Sequence, residues 1–382
     1  MRVYEGITEV KKILFVIHDL HHGGAEKVLV NLVNNLDRKK FDITVMALFG
    51  GGVNEQFLAK EIRLIICHKK AVRGNSKLMQ LFSPQFLFRH YIHGEYDVIV
   101  SYLEGPSARI VSGCRDKNTK LISWIHVEQH DKETACRSFR NYKEALECYR
   151  RFDCTVCVSE GVKKDFQSIF PVENPVYVLY NTNETDKILE LSKESVDDIV
   201  LKEDEIKVVG VGKLMPNKGF DKLARIHVRL IQEGYKVHTY ILGEGSERNK
   251  IEKIIDENGC ADTFTLLGYR TNPYKYIAKC DVFVCASKAE GFSTAATEAL
   301  ILGVPVVTTE VSGMEEMLGM NNEYGIIIDG TGETELYTGI KRLLDSTELM
   351  CSYAEKARIR GEKFEKNTTV EAVEKLVESL TT

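Results

Sequence analysis

Short, almost uniformly apolar runs alternate along this chain with longer stretches of helical periodicity, and few folds accommodate that pattern. KILFVI, FDITVMAL, RLIIC, YDVIVSYL and LISWIH occupy the first half; IKVVGVG, VHTYILG, TFTLLG, DVFVCAS and PVVTT occupy the second. A strand apolar on both faces must be covered on both faces, and helices inserted between strands return the chain to run parallel. The expectation is an α/β chain of doubly wound parallel sheets. At 382 residues it exceeds the roughly 100 to 200 residues of an ordinary domain, so the runs divide between two domains. The stretch from Thr182 to Glu205 is charged, lacks aromatic residues and precedes a fresh strand at Ile206. A boundary belongs there, giving domains over 1–190 and 191–365. From Leu343 to Leu380 charges surround a sparse apolar stripe, which predicts mostly helix. The terminal part, 366–382, is expected as a helix that packs back on the first domain.

With 43% hydrophobic and 28% charged residues and a formal charge of -5, the composition is that of a chain able to build full cores. It carries no global attraction to nucleic acid. The early apolar run Ile13 to Ile17 is shorter than the roughly 7 to 15 residues of a signal-peptide core. No stretch approaches the roughly 18 apolar residues of a membrane span. The expected location is therefore cytoplasmic. Cys154, Cys157, Cys280 and Cys285 fall inside strand-like runs, as buried reduced thiols do. Cys154 and Cys157 form a C-x2-C pair, but no second pair or histidine set completes a zinc site.

Ligands of open α/β sheets bind beyond the carboxyl ends of the strands, and three turns there hold chemistry. After KILFVI, Gly23 and Gly24 open an amphipathic helix. Bare backbone and a helix N-terminus suit phosphate, although the pair lacks G-x-G-x-x-G spacing and a purely structural reading stays open. After IKVVGV come Gly212, Lys213, Lys218 and Gly219. Two lysines at a strand's carboxyl end can neutralise a diphosphate, or simply be solvated. In SKAEGFSTAATEALILGVPVV, Ser293 or Thr294 caps a helix that Gly303 and Pro305 end. Glu290 precedes this helix and Glu298 lies one to two turns inside it. Side chains lean toward a helix N-terminus, so both carboxylates can face one ligand.

In order, E-G-F-S-x4-E-A-L-x2-G-x-P-V-V, the upstream G-K-L-x3-K-G, the intervening L-G-E-G-S-E-R and the early G-G-A-E before a helix resemble the retaining GT-B glycosyltransferases of family four. The resemblance covers most of the chain and is densest from Val208 to Gly325. It implies two Rossmann-like domains facing across a cleft, with the acceptor on the first and a nucleotide sugar on the second. It also implies no metal and no further cofactor, and the sequence has no D-x-D pair of the kind that holds one. By the same resemblance, Glu290 with the backbone of Gly291, Phe292 and Ser293 holds donor-sugar hydroxyls. Glu298 holds the ribose, and Lys213 and Lys218 hold the diphosphate. Gly23, Gly24, Gly212, Gly243, Tyr269 and Thr294 complete the donor site, and His126 touches the transferred sugar. Lys213 stands where the family usually has arginine, which keeps the charge and removes the bidentate fork. EGFS replaces the commoner EGFP.

The implied activity is retaining, metal-independent transfer of a hexosyl group. The donor is a nucleotide diphosphate sugar, UDP by default, and the acceptor a glycan or lipid-linked molecule in surface polysaccharide or glycoconjugate synthesis. A nucleotide-sugar epimerase of the same fold and a non-catalytic nucleotide-binding protein are the alternatives. Glu290 and Glu298 as an acid and base pair sit poorly with the adjacent lysines. The basic segment 69–93, interleaved with Leu81, Phe82, Phe86, Leu87 and Phe88, suits peripheral contact with an anionic membrane, or a plain helical hairpin. His18, His21 and His22, and H-V-E-Q-H from His126 to His130, do not match a metal motif.

Overall fold

The computed structural model describes residues 10–21, 23–70 and 74–381. His22 and part of the basic segment, 71–73, lie outside them. The first of two compact units comprises the described residues up to Thr182 together with those from Asn367; the second is Asn183–Lys366.

The first unit is built on a seven-stranded sheet ordered β3-β2-β1-β4-β5-β6-β7. Its strands are β1 (Lys11–Ile17), β2 (Phe41–Phe49), β3 (Arg63–His68), β4 (Val98–Ser101), β5 (Lys120–Ile125), β6 (Cys154–Cys157) and β7 (Val176–Val178). Every pairing is parallel, with Phe15 opposite Val45 on one side and Val100 on the other. β1 is central, so Ile13 to Ile17 are all buried, as the unbroken apolar run requires. Cys154 and Cys157 are buried in β6, and burial pushes both thiols up to about 12.

The second unit carries a six-stranded parallel sheet ordered β10-β9-β8-β11-β12-β13. These are β8 (Ile206–Val211), β9 (Val237–Leu242), β10 (Phe264–Gly268), β11 (Val282–Cys285), β12 (Val306–Thr308) and β13 (Ile326–Ile327). In both sheets the order runs outward in both directions from the first strand of the unit, which puts a topological switch point beside it.

The boundary falls at Thr182/Asn183, earlier than 190/191, because the charged stretch after it is fastened to the second unit. Asn272 Nδ2 donates to the Leu191 carbonyl and to Glu194 at 2.9 Å. Lys275 donates to the Ser195 carbonyl, and the Tyr276 hydroxyl to Asp198. The helix Lys366–Thr381 buries Val370, Val373 and Val377. Its Glu374 accepts the Asp37 N–H at 2.8 Å and reaches Lys40 at 3.3 Å.

Among the described residues no helix is long and apolar enough to cross a membrane. The basic segment folds into helices Asn75–Met79 and Pro84–Tyr91. The turn between them is pinned by its carbonyls. Arg109 donates to Met79 and Phe82 at 2.7 and 2.6 Å, and Arg140 donates to Gln80 and Leu81 at 2.6 and 3.1 Å. With the backbone held inward, Leu78 (60% exposed), Leu81 (71%), Phe82 and Phe86 face solvent.

Candidate active site

In the second unit the ends of β8 and β9 approach so closely that side chains are excluded. A Cβ on Gly243 would lie 1.8 Å from the Gly212 carbonyl oxygen. Beyond Gly212 the chain passes through Lys213, makes one tight turn at Pro216–Lys218 and enters the helix Phe220–Gln232. Gly219 joins turn to helix with φ +67°, and a Cβ there would lie 2.1 Å from the Ala286 oxygen. Only glycine permits that left-handed bend at that distance. The bend sets Lys218 against the carboxyl end of β11.

There Lys218 Nζ meets Glu290 Oε1 at 2.6 Å, and Ser287 Oγ donates to the same oxygen at 2.6 Å. Thr309 Oγ1 donates to the Ser287 carbonyl at 2.5 Å and steadies the strand end from β12. Burial pushes the Lys218 ammonium down, but the charge and hydrogen bond of Glu290 more than reverse this and hold it above the ordinary lysine value. Lys218 therefore stays cationic. An ammonium has three N–H donors and a carboxylate about four lone-pair sites, so both groups retain capacity for a ligand. The recess they line with Val211, Phe283 and Ser293 is about 10 Å³, room for about one water.

The loop after Glu290 delivers a helix terminus to the same place. Ser293 Oγ accepts the Ala296 N–H at 3.4 Å and caps the helix Thr294–Ile301. Gly291, Phe292 and Ser293 are buried and Thr294 is half-buried. Glu298, in the second turn, is only 4% exposed. Lys218, Glu290 and Ser293 thus converge on one recess. Lys213 is exposed and has no ion-pair partner among the described residues, and Tyr269, 41% exposed, follows Gly268 at the end of β10.

The first unit holds the other expected residues. Gly23 is the N-cap of the helix Gly24–Asn35 and, as glycine, offers it no side-chain cap; Glu26 lies in the first turn. Asp19 shapes the approach, pairing with His18 Nδ1 at 2.6 Å and accepting the His21 N–H at 2.9 Å. Burial raises its pKa, but these bonds more than offset that and hold the carboxyl well below the usual range. His126 is 7% exposed and packs against Tyr102 and Trp124, with ring centroids at 4.8 and 6.4 Å. Among the described residues its Nε2 has no hydrogen-bond partner, nor do the Tyr102 hydroxyl and Trp124 Nε1. Burial pushes His126 down to about 3, so the ring is neutral near neutral pH. The sequence reading passed over two residues. Ser287 ends the DVFVCAS run, and Glu104 follows β4 in S-Y-L-E-G, accepting the His126 N–H at 3.1 Å. Both stand at strand carboxyl ends, the one signal that marks them.

Comparison with known proteins gives this geometry a family. The model for glycosyl transferases group 1 matches residues 192–360, and that for Glycosyltransferase Family 4 matches 22–187. The chain is 26% identical to the N-acetylgalactosamine-N,N'-diacetylbacillosaminyl-diphospho-undecaprenol 4-alpha-N-acetylgalactosaminyltransferase of Campylobacter jejuni, over 94% of this chain and 96% of that protein. It is 23% identical to the lipopolysaccharide core biosynthesis glycosyltransferase LpsE of Rhizobium meliloti, over 87% and 89%. Among solved structures, Anabaena Alr3699/HepE in complex with UDP and glucose matches with a TM-score of 0.77 at 19% identity, over 97% of this chain and 100% of that one. The two family models account for both units and the structural likeness for the fold: the chain belongs to the group 1 glycosyltransferases of GT-B architecture.

Proposed function

We propose that this glycosyltransferase moves a hexosyl group, with retention of configuration, from a UDP-sugar to a glycan or lipid-linked acceptor in the synthesis of a surface polysaccharide or glycoconjugate. The observation that carries the reading is the convergence of Lys218, Glu290 and the capped helix at Thr294 on one recess. Breaking a sugar–phosphate bond builds negative charge on the leaving diphosphate, and fixed cations and helix N-termini aimed there stabilise it. Lys218 and Lys213 supply the charge, and the Thr294 helix supplies N–H groups. These groups supply what a metal would otherwise supply, which supports a metal-independent reaction. Glu290, fixed by Lys218 and Ser287, has lone pairs left for the hydroxyls of the donor sugar, and Glu298 takes the ribose. His126 contacts the transferred sugar. In a retaining reaction of this kind the leaving phosphate takes the acceptor proton, so no enzyme nucleophile is needed.

UDP is favoured because structures of the same fold bind it, HepE and the pneumococcal GtfA among them. The Campylobacter relative acts on a diphospho-undecaprenol glycan, which favours a lipid-linked acceptor and a cytoplasmic enzyme working at the inner face of the cell membrane. The exposed Leu78, Leu81, Phe82 and Phe86, flanked by Lys77 and Arg89, favour peripheral contact there. Co-sedimentation with anionic vesicles at low salt tests that contact, and no binding would end it.

A thermal-shift screen against nucleoside diphosphates and their sugars tests the donor reading. A ligand at 100 times its Kd stabilises by about 2.7 kcal/mol, so UDP and one UDP-sugar are expected to stand out. No response to any nucleotide would overturn it. Consumption of the sugar nucleotide into an epimer without acceptor would point instead to an epimerase.

A further inference from the structure

His126 has two aromatic neighbours, Tyr102 and Trp124, that the reaction described above leaves without a task. Parallel pairing sets Ser101 beside Ser123. The next residues, Tyr102 and Trp124, therefore share one face of the sheet, and His126 follows two positions on along that face. The rings of Tyr102 and Trp124 lie 4.9 Å apart, Tyr102 lies 4.8 Å from His126, and Trp124 and His126 stack at 6.4 Å with 19° between their planes. Phe15 closes the cluster from β1, edge-on to Tyr102 at 6.0 Å. Backbone bonds fix where the rings start. The Tyr102 N–H donates to the Val16 carbonyl at 2.9 Å, and the His126 N–H to Glu104 at 3.1 Å.

Three polar atoms are enclosed here. The Tyr102 hydroxyl, Trp124 Nε1 and His126 Nε2 are all buried without a hydrogen-bond partner among the described residues. Buried polar groups are nearly always bonded, so the count of hydrogens inside the cluster matters. Burial pushes the imidazole down to about 3, and the carboxylates at this strand end are Glu104, bound to the His126 backbone, and Glu26, which acts on Glu104. A neutral imidazole has one N–H and one bare nitrogen, an indole nitrogen only donates, and a phenol both donates and accepts. With Nε2 bare, the cluster encloses two hydrogens and two acceptors, the Tyr102 oxygen and Nε2, and one shared water can link them. With a hydrogen on Nε2, three hydrogens face a single acceptor. The first arrangement is favoured, and it puts the proton on Nδ1. Sealing Nε2 also leaves Nδ1 as the nitrogen able to reach a ligand.

We propose that Tyr102 and Trp124 are positioning residues for His126: they fix its proton on Nδ1, so that the ring donates a hydrogen bond to an oxygen of the transferred sugar. The inference rests on the glycosyl-transfer reading, which supplies the contact, and adds the direction of the bond and the two residues that set it. It also removes a rival task. A ring with Nδ1 protonated and Nε2 sealed has no lone pair to offer the acceptor's proton, which leaves that proton to the departing phosphate.

The test is nitrogen-15 NMR of the full-length protein with labelled histidine, the His126 signals being those lost in His126→Ala. The wild type is expected to show Nδ1 protonated and Nε2 bare, unchanged from about pH 8 to about pH 5.5, a range in which an ordinary imidazole titrates. Tyr102→Phe and Trp124→Phe each keep a ring against His126 and remove one donor. Each is expected to spread the proton over both nitrogens and to lower turnover about three- to tenfold, the scale of one neutral hydrogen bond, with UDP affinity by calorimetry unchanged. Lost packing alone would leave the proton where it is. The proposal fails if the wild-type ring carries its proton on Nε2 or titrates near its ordinary value, or if both folded variants keep the wild-type tautomer. Should a variant not fold, the other and the wild-type spectrum still decide. If His126→Ala turns over as fast as the wild type, the sugar contact falls and the inference with it. If that variant is slowed while the wild-type proton sits on Nε2, only the inference falls.

Discussion

The Lys218 ammonium is fixed by Glu290 at 2.6 Å and stays charged, so in the proposed reaction it would meet a developing diphosphate charge without reorganising. Lys218→Ala is expected to lower turnover at saturating donor by roughly 100-fold or more, the scale of losing one preorganised donor. Steady-state kinetics giving near-wild-type turnover would contradict its role. Glu298→Ala removes a buried carboxylate from the adjacent helix and is expected mainly to weaken nucleotide binding. Calorimetry with an unchanged UDP affinity would remove the ribose assignment. Both residues were legible because their spacing around glycines and a helix cap is local in sequence. Glu104 was not, since its importance lies in the His126 N–H it accepts from the neighbouring strand's end, and Ser287 was not, since nothing in a lone serine at a strand end marks the bond it gives Glu290. Burial also sets an acid limit. It pushes His126 down to about 3 and His227 down to about 4, whereas unfolded imidazoles titrate near pH 6.5. Between these values the unfolded chain takes up protons that the folded chain refuses, so stability falls as pH falls. The slope is about 1.4 kcal/mol per pH unit for each such histidine. Melting temperature should decline from pH 6.5 toward 5, before most carboxylates titrate; a flat profile would show these rings to be more accessible.

Among the elements, the edge strands β3 and β10 were as readable as the central ones, and the short edges β7 and β13 were not. β1 and β8 are covered on both faces, and their unbroken apolar runs announce it. β7 has only three residues, half-exposed or exposed, and β13 only two, so neither leaves a periodic signal long enough to separate from a loop. The joint between Lys218 and the helix Phe220–Gln232 depends on a single backbone conformation. Gly219→Ala places a Cβ at φ +67° and 2.1 Å from the Ala286 oxygen. The left-handed backbone alone costs about 1 to 2 kcal/mol, and relieving the clash must shift either the turn or the strand end carrying Ser287. The variant is expected to lose melting temperature and turnover together. A Gly219→Ala protein with wild-type stability would mean that the turn relaxes more easily than its contacts suggest.

At the scale of the whole molecule, sequence order and structural membership differ. The first unit combines the residues before Asn183 with those from Asn367 onward, so its final element is synthesised only after the entire second unit. Alternating apolar runs announce two sheets, and the terminal helix is expected on the first, but a sparse stripe on a charged helix does not carry the contacts that hold it there. The deciding contacts are polar and distant in sequence: Glu374 accepts the Asp37 N–H and approaches Lys40, while Val373 and Val377 lie beneath. Glu374→Ala leaves that N–H without its carboxylate, a loss of about 1 to 3 kcal/mol. For a unit of this size each kcal/mol corresponds to about 2 to 4 °C. Differential scanning calorimetry should therefore show one of two transitions moving down by several degrees while the other, that of the second unit, stays fixed. UDP should raise the transition that Glu374→Ala leaves in place. If the mutation lowers the same transition that UDP raises, the helix supports the donor unit and its assignment to the first unit is wrong.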